Sequence, residues 1–257
     1  MIDFNIEYSR WLKSDSLTDE EKKELISIKD NPCEIEFSFS SMMDFGTAGL
    51  RSTMKLGTRS MNRFTVAHTT RALADLILES GGADRGAVVC YDSRNNSESF
   101  ARTAASILAG ANVKVYIFDN LRPTPELSFA VRKLNAIAGI NITASHNPKE
   151  YNGYKAYWED GAQIGPEQAD RVSKTREKYD VLDLSGMVDF DSAVESGIIT
   201  VLDEQFDEQY LTEVKKTAVD KEIIADVAET LSVVYTPLHG TGYRLIPRLF
   251  SEIGLKH

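Results

Sequence analysis

The sequence predicts an α/β fold, namely a three-layer α/β/α domain around a mixed, mostly parallel sheet, followed by the beginning of a second, similar domain. After Pro32, short apolar runs alternate with segments whose apolar residues recur at helical spacing, the pattern of a sheet covered by helices on both faces. The chain has 257 residues, of which 42% are hydrophobic. That is enough to form at least one substantial core.

Residues 1–40 are predicted to form a helical N-terminal extension. Residues 4–30 have the pattern of two short helices. Thr18 and Glu21 have the spacing of a capping box, in which each side chain bonds the other residue's backbone N–H. Because this stretch carries no cluster of reactive side chains, we expect it to be an addition to the domain rather than part of its site.

Residues 41–200 are predicted to form the first α/β domain. Its expected strands lie near residues 87–91, 113–118, 136–142 and 153–158. Its expected helices are 64–79, 97–108, 125–134 and a polar surface helix over 166–179. Residues 181–199 are acidic and irregular, which is typical of a linker or an edge region, so a boundary is expected near residue 200.

Residues 201–257 are predicted to be an incomplete second α/β domain. A helix is expected over 206–219, a strand over 232–235 and a second helix over about 243–253. One strand with its flanking helices cannot bury both faces of a sheet. We therefore expect this region to be unfinished and to favour self-association through exposed apolar surface.

Composition excludes several classes of partner. The net charge of -10 gives an acidic surface, which repels nucleic acid and anionic membranes. The two cysteines, Cys33 and Cys90, lie far apart, and Cys90 ends an apolar run in which a free thiol behaves as a small hydrophobic side chain. The chain has no apparent leader or membrane-spanning run. A cytoplasmic protein is the expectation.

Three polar loops follow the predicted strands. They are 92–96 after the first strand, 122–125 after the second and 143–148 after the third. If the strands are parallel, the loops share the edge where open α/β sheets bind ligands. Their hydroxyl, guanidinium and backbone N–H groups suit phosphate oxygens, although Asp92-Ser93-Arg94 alone is equally typical of a solvated turn.

Ser145 next to His146 invites comparison with a serine hydrolase. Neighbouring residues in an extended loop point to opposite sides, so His146 is expected to be a poor base for Ser145. No Gly-x-Ser-x-Gly turn surrounds the serine either. A phosphorylated serine instead needs a nearby cation, and Lys155, Arg51 and Arg94 are available besides a bound metal ion.

Several motifs together resemble the α-D-phosphohexomutases, the phosphoglucomutase and phosphomannomutase family. Thr143-Ala144-Ser145-His146-Asn147-Pro148, continued by Tyr151-Asn152-Gly153-Tyr154-Lys155, is similar to the family's phosphoserine loop. Phe45-Gly46-Thr47-Ala48-Gly49-Leu50-Arg51 and Asp92-Ser93-Arg94 resemble other active-site segments. The segment 235–242 resembles the start of the family's second domain, and residues 157–164 with the helical extension resemble its long phosphoglucomutase and phosphopentomutase branch.

The resemblance implies a four-domain isomerase that moves phosphate between two positions of a sugar through a phosphoserine and a bisphosphate intermediate. It implies Ser145 as phosphate donor and acceptor and, through its phosphate, as a ligand of Mg²⁺. It implies His146, Lys155 and Arg51 as catalytic groups. It also implies that Thr143, Asn147, Arg94 and Asn152 support the loop, and that glucose 1,6-bisphosphate is an activator.

This sequence also departs from the family pattern. The second-domain loop whose three aspartates bind Mg²⁺ is missing, and Asp189-Phe190-Asp191 lacks its flanking glycine and arginine. The sugar-reading and distal phosphate-binding segments are missing too, so we expect an N-terminal fragment with little turnover alone. A non-catalytic phosphosugar-binding or interaction module stays open, as do mannose, ribose and glucosamine phosphates as alternative substrates.

Overall fold

A six-stranded mixed sheet forms the centre of the computed structural model, which describes residues 3–255. The strands are β1 (Leu50–Thr53), β2 (Ala87–Tyr91), β3 (Val115–Phe118), β4 (Ala138–Ile142), β5 (Tyr151–Trp158) and β6 (Ile199–Leu202). Their order is β1-β5-β4-β2-β3-β6. Strand β2 is parallel to β3 and β4, and β3 is parallel to β6, whereas β5 is antiparallel to both of its neighbours. The predicted mixed, mostly parallel sheet is confirmed.

Helices cover both faces of this sheet. In chain order they are α1 (Phe4–Leu12), α2 (Asp19–Ser27), α3 (Pro32–Phe39), α4 (Arg63–Glu79), α5 (Ser97–Gly110), α6 (Thr124–Lys133), α7 (Pro166–Arg176), α8 (Phe190–Glu195), α9 (Glu204–Lys216), α10 (Lys221–Val227) and α11 (Leu245–Glu252). Alternate residues of a strand point to opposite faces. Val89 packs in the core formed with α4 and α5, and Val88 packs in the core formed with α6 and α9. The three-layer architecture is confirmed.

The four predicted strands are all present, and two further strands lie at the sheet edges. Strand β1 is mostly polar, and β6 begins at residue 199, where the region expected to be a linker or an edge ends. The strand predicted over 232–235 is wrong, since these residues have no regular secondary structure and Val234 is 99% exposed. An apolar run forms a strand only where a neighbouring strand accepts and donates its hydrogen bonds, and none of the described strands pairs with it.

The N-terminal extension packs firmly on the first domain. Helices α1 and α2 form as predicted, and the capping box closes through hydrogen bonds from Thr18 N to Glu21 Oε2 (2.9 Å) and from Glu21 N to Thr18 Oγ1 (3.2 Å). Trp11 is fully buried, with its ring edge-to-face against Phe39 (5.6 Å) and Phe64 (5.2 Å). Because Phe64 belongs to α4, this aromatic cluster joins the extension to the domain.

Helix α9 packs against the same sheet, although it lies beyond the predicted boundary. Strand β6 crosses residue 200 and pairs with β3. Phe206 of α9 then contacts Phe118 (5.8 Å between ring centroids) and Phe129 (5.7 Å). The division of the chain near residue 200 stays a prediction. Within residues 3–255, no helix combines the length and the apolar composition that crossing a membrane requires.

Candidate functional site

The loops after β2, β3 and β4 meet at one edge of the sheet, as their parallel strands predict. They line a cleft of about 890 Å³. The segment 237–241, from the far end of the chain, forms the opposite wall. The Ser93 hydroxyl donates to the carbonyl of His239 and so joins the two walls. Sequence reasoning missed this wall, although the segment's resemblance to the family was visible.

Ser145 is exposed in the cleft and has a left-handed backbone, with φ of 58°. Few residues other than glycine adopt this conformation. The expectation that Ser145 and His146 point to opposite sides of an extended loop is therefore wrong. The left-handed residue turns the chain and brings the Ser145 hydroxyl to 3.4 Å from His146 Nδ1. That contact is long for a hydrogen bond. Among residues 3–255 no carboxylate bonds to His146, so the third member of a hydrolase triad is not provided by this part of the chain.

Asp92 organises the backbone of the serine loop. Its Oδ2 accepts from the Thr143 hydroxyl (2.6 Å), and its Oδ1 accepts from the Ser97 hydroxyl (2.8 Å) and from Arg94 N (3.0 Å). The Thr143 hydroxyl oxygen in turn accepts from Ser145 N (3.0 Å). This chain of hydrogen bonds holds Ser145 at the end of β4. The sequence placed Asp92 in a motif but did not indicate this central position.

The guanidinium group of Arg94 holds the serine loop, residues 143–151, through hydrogen bonds to its backbone. Its two terminal nitrogens donate to four backbone carbonyls, those of Ser145 (2.8 Å), Asn147 (2.6 Å), Pro148 (2.8 Å) and Tyr151 (3.0 Å). Its Nε lies 3.3 Å from Asp92 Oδ2, and only 12% of the side chain is exposed. Because its donors are occupied by the backbone, Arg94 is suited to positioning the loop rather than to binding a ligand phosphate directly.

Two asparagines complete the support of the loop. Asn152 is buried, and its amide nitrogen donates to Asn95 O (3.1 Å) and Ser97 Oγ (2.9 Å), which ties the start of β5 to the loop after β2. The side-chain oxygen of Asn147 is buried and accepts no hydrogen bond from the residues that the structure describes. Asn147 is therefore near the serine but has one polar atom still available.

Arg51 and Lys155 lie beside the cleft rather than in its lining. In the strand register Lys155 is opposite Asn141 and Arg51 is opposite Gly153, so both cations are on the face of the sheet that carries Asn141. Neither side chain makes a hydrogen bond or an ion pair within residues 3–255. Lys149, which sequence reasoning did not single out, is the exposed lysine that does line the cleft.

The described residues do not by themselves fit a complete Mg²⁺ site. Nowhere in residues 3–255 do three histidine, cysteine or acidic side chains converge as metal ligands would. Asp189 is occupied as the N-cap of α8, where it accepts from Ser192, and Asp191 pairs with Arg102 (3.0 Å). A phosphate on Ser145 would therefore be only one part of the ligand set.

The fold and the cleft define a three-layer α/β/α domain that presents an exposed serine on a braced loop at the carboxyl ends of its parallel strands. Residues 42–182 match the model of the phosphoglucomutase/phosphomannomutase alpha/beta/alpha domain I. The chain belongs to this family, and the resemblance seen in the sequence is confirmed.

Named relatives agree with this membership. The chain is 39% identical over 216 residues to a phosphoglucomutase of Staphylococcus saprophyticus, covering 84% of this chain and 38% of the relative. A putative phosphomannomutase from Thermus thermophilus superposes with a TM-score of 0.69 at 28% identity, covering 84% of this chain and 44% of that one. The Paramecium phosphoglucomutase parafusin, at 16% identity and a TM-score of 0.66, shows the shared fold. The chain thus spans about two fifths of these proteins.

Proposed function

We propose that this chain is the N-terminal part of a phosphohexomutase and includes its phosphate-carrying first domain, in which Ser145 exchanges a phosphoryl group with a sugar phosphate. The observation that carries the proposal is the presentation of Ser145, which is exposed, left-handed and held by Arg94 and Asp92 at the edge of the sheet. Phosphoryl transfer depends on positioning and charge neutralisation more than on a strong nucleophile.

In the half-reaction that phosphorylates Ser145, its hydroxyl oxygen bonds to phosphorus as the bond from that phosphorus to the sugar oxygen breaks. The hydroxyl proton leaves Ser145, and the sugar oxygen gains one. The His146 ring is 3.4 Å from the hydroxyl, and Lys155 and Arg51 are free cations on the neighbouring strands. We assign the proton transfer to His146 and Lys155 and the neutralisation of phosphate charge to Arg51.

The sugar is expected to be glucose 1-phosphate or 6-phosphate, with glucose 1,6-bisphosphate as the phosphate source. Mg²⁺ bound to the phosphoserine would neutralise negative charge, with the remaining ligands supplied from outside residues 3–255. Mannose, ribose and glucosamine phosphates are alternatives. The match covers 38% of the length of the Staphylococcus relative, and the segments expected to contact the sugar lie outside the matched part.

The test is the intact mass of the purified chain before and after incubation with glucose 1,6-bisphosphate and Mg²⁺. A gain of one phosphate is expected for the parent and for Ser99→Ala, an exposed serine outside the cleft, but not for Ser145→Ala. Phosphorylation that persists in Ser145→Ala would contradict the proposal. Saturable sugar-phosphate binding without any mass gain would favour the non-catalytic binding module instead.

A further inference from the structure

A buried ion pair joins α9 to the loop after β3, directly below the cleft. The guanidinium of Arg122 is fully buried and donates to Asp207 Oδ1 (2.6 Å) and Oδ2 (3.1 Å). It also donates to Asp119 Oδ1 (2.9 Å) and to the Leu121 carbonyl (3.1 Å). Every nitrogen of this guanidinium is therefore already engaged.

Glu126 lies in the first turn of α6 beside this ion pair and accepts no hydrogen bond from the described residues. Its side chain is fully buried, and both carboxyl oxygens lack a hydrogen bond within the described residues. Arg122 Nε lies 3.8 Å away but is directed to Asp207. Burial and the neighbouring Asp207 raise the pKa of Glu126 from 4.5 to about 8. The N-terminus of α6 favours an anion, yet burial outweighs it.

The other ionisable groups around Glu126 do not supply the missing positive charge. Arg244 also acts on Glu126, although its own contacts are with Glu204 and Asp119. Tyr210 of α9 and Cys90 of β2 complete the surroundings, and both stay neutral because the pKa of each is raised above its usual value. With Glu126 neutral, Arg122 faces the carboxylates of Asp207 and Asp119, whereas an ionised Glu126 adds a third negative charge around this one buried guanidinium.

Helix α9 also sets the position of the 237–241 wall of the cleft. Glu204, one turn before Asp207, pairs with Arg244 (2.5 Å), which lies three residues after the end of the wall segment and 3.9 Å from Asp119. Lys215 at the other end of α9 pairs with Glu252 of α11 (2.6 Å). A displacement of α9 is therefore transmitted toward this wall through the Glu204–Arg244 pair, against the hydrogen bond that joins His239 of the wall to Ser93.

We infer that Glu126 is a proton-carrying positioning residue. As a neutral acid it allows the Arg122–Asp207 pair to hold α9 and the 237–241 wall against the first domain, and loss of its proton to solvent releases α9. This inference goes beyond the proposed function and does not depend on phosphate transfer to Ser145. The wall of the cleft is thus held most firmly in acidic solution and loosens as the pH rises through neutrality toward about 8.

The test is hydrogen exchange of the full chain followed by mass spectrometry, with rates corrected for the intrinsic effect of pH. The opening constant of α9 is expected to rise about tenfold for each pH unit between about pH 6 and 7.5, because the closed state binds one proton more than the open state. It levels off above the pKa of about 8. Glu126→Gln should remove this slope, and Glu167→Gln, an exposed carboxyl on α7, should leave it unchanged.

Three results would overturn the inference. A flat wild-type profile would mean that Glu126 does not change ionisation with opening, and this result needs no variant. An unchanged slope in Glu126→Gln would assign the proton to another group. Equal protection of α9 and of the central strand β4 at every pH would mean that α9 opens only when the whole chain unfolds. None of these results involves Ser145, so the proposed function is tested separately.

Discussion

A methyl group added at Gly153, in β5, should displace the backbone at the start of the serine loop, because it would clash with the neighbouring chain at Thr143. A Cβ on Gly153 would lie 2.6 Å from the Thr143 carbonyl oxygen and 2.8 Å from the Leu50 carbonyl oxygen. Both are backbone atoms, on either side of β5, so moving away from one shortens the other contact. Overpacking of this kind lowers the free energy of unfolding by about 1–3 kcal/mol. Alanine restricts the unfolded chain more than glycine does, which raises the same free energy by about 0.4–1 kcal/mol. We expect a net loss of about 1–2 kcal/mol.

The assay is denaturant unfolding of Gly153→Ala and of a matched control, Gly186→Ala. A Cβ on Gly186 meets the Arg71 side chain only at an ordinary 3.5 Å, so this control should change stability by no more than about 0.5 kcal/mol. Because Thr143 bonds Ser145 N, Gly153→Ala should also slow phosphorylation of Ser145. If both variants have the same free energy of unfolding, the steric reasoning is refuted.

Further outcomes follow from burial and hydrogen bonding. Arg94→Lys should increase proteolysis of the serine loop and lower stability by about 1–3 kcal/mol, since one ammonium cannot span four carbonyls; unchanged proteolysis would contradict this. Trp11→Ala should lower the free energy of unfolding by about 3–5 kcal/mol, and a loss below about 1 kcal/mol would mean that the extension contributes little. A thiol reagent should modify exposed Cys33 at once and Cys90 only after unfolding, because burial raises the pKa of the Cys90 thiol; equal rates would contradict the buried position.

The central part of the fold could be predicted because its sequence pattern is strong. Strands β2 and β4 are buried along their whole length, so β2 is a continuous apolar run and β4 is interrupted only by Asn141. Parallel strands then bring their following loops together, which places Ser145 near Asp92 without knowledge of the coordinates. This reasoning needs only the order of strands and helices.

What could not be predicted depends on partners distant in the chain. Strand β1 is mostly polar and exists because β5 offers it a free edge, whereas the apolar residues 232–235 meet no such edge among the described strands. The left-handed backbone of Ser145 follows from contacts with Thr143 and Arg94 that no local pattern reveals. For the same reason the partnerless carboxyl of Glu126 looks like any helical glutamate in the sequence.

The clamp formed by Arg94 means that the serine loop is ordered by the fold itself. Its four carbonyl contacts lie between residues 145 and 151, at both ends of the loop. The loop therefore loses its conformational entropy when the chain folds, so ligand binding does not lose free energy to ordering it. Association at this edge of the sheet should accordingly be limited by how often a ligand reaches the cleft, not by how often the loop adopts its shape.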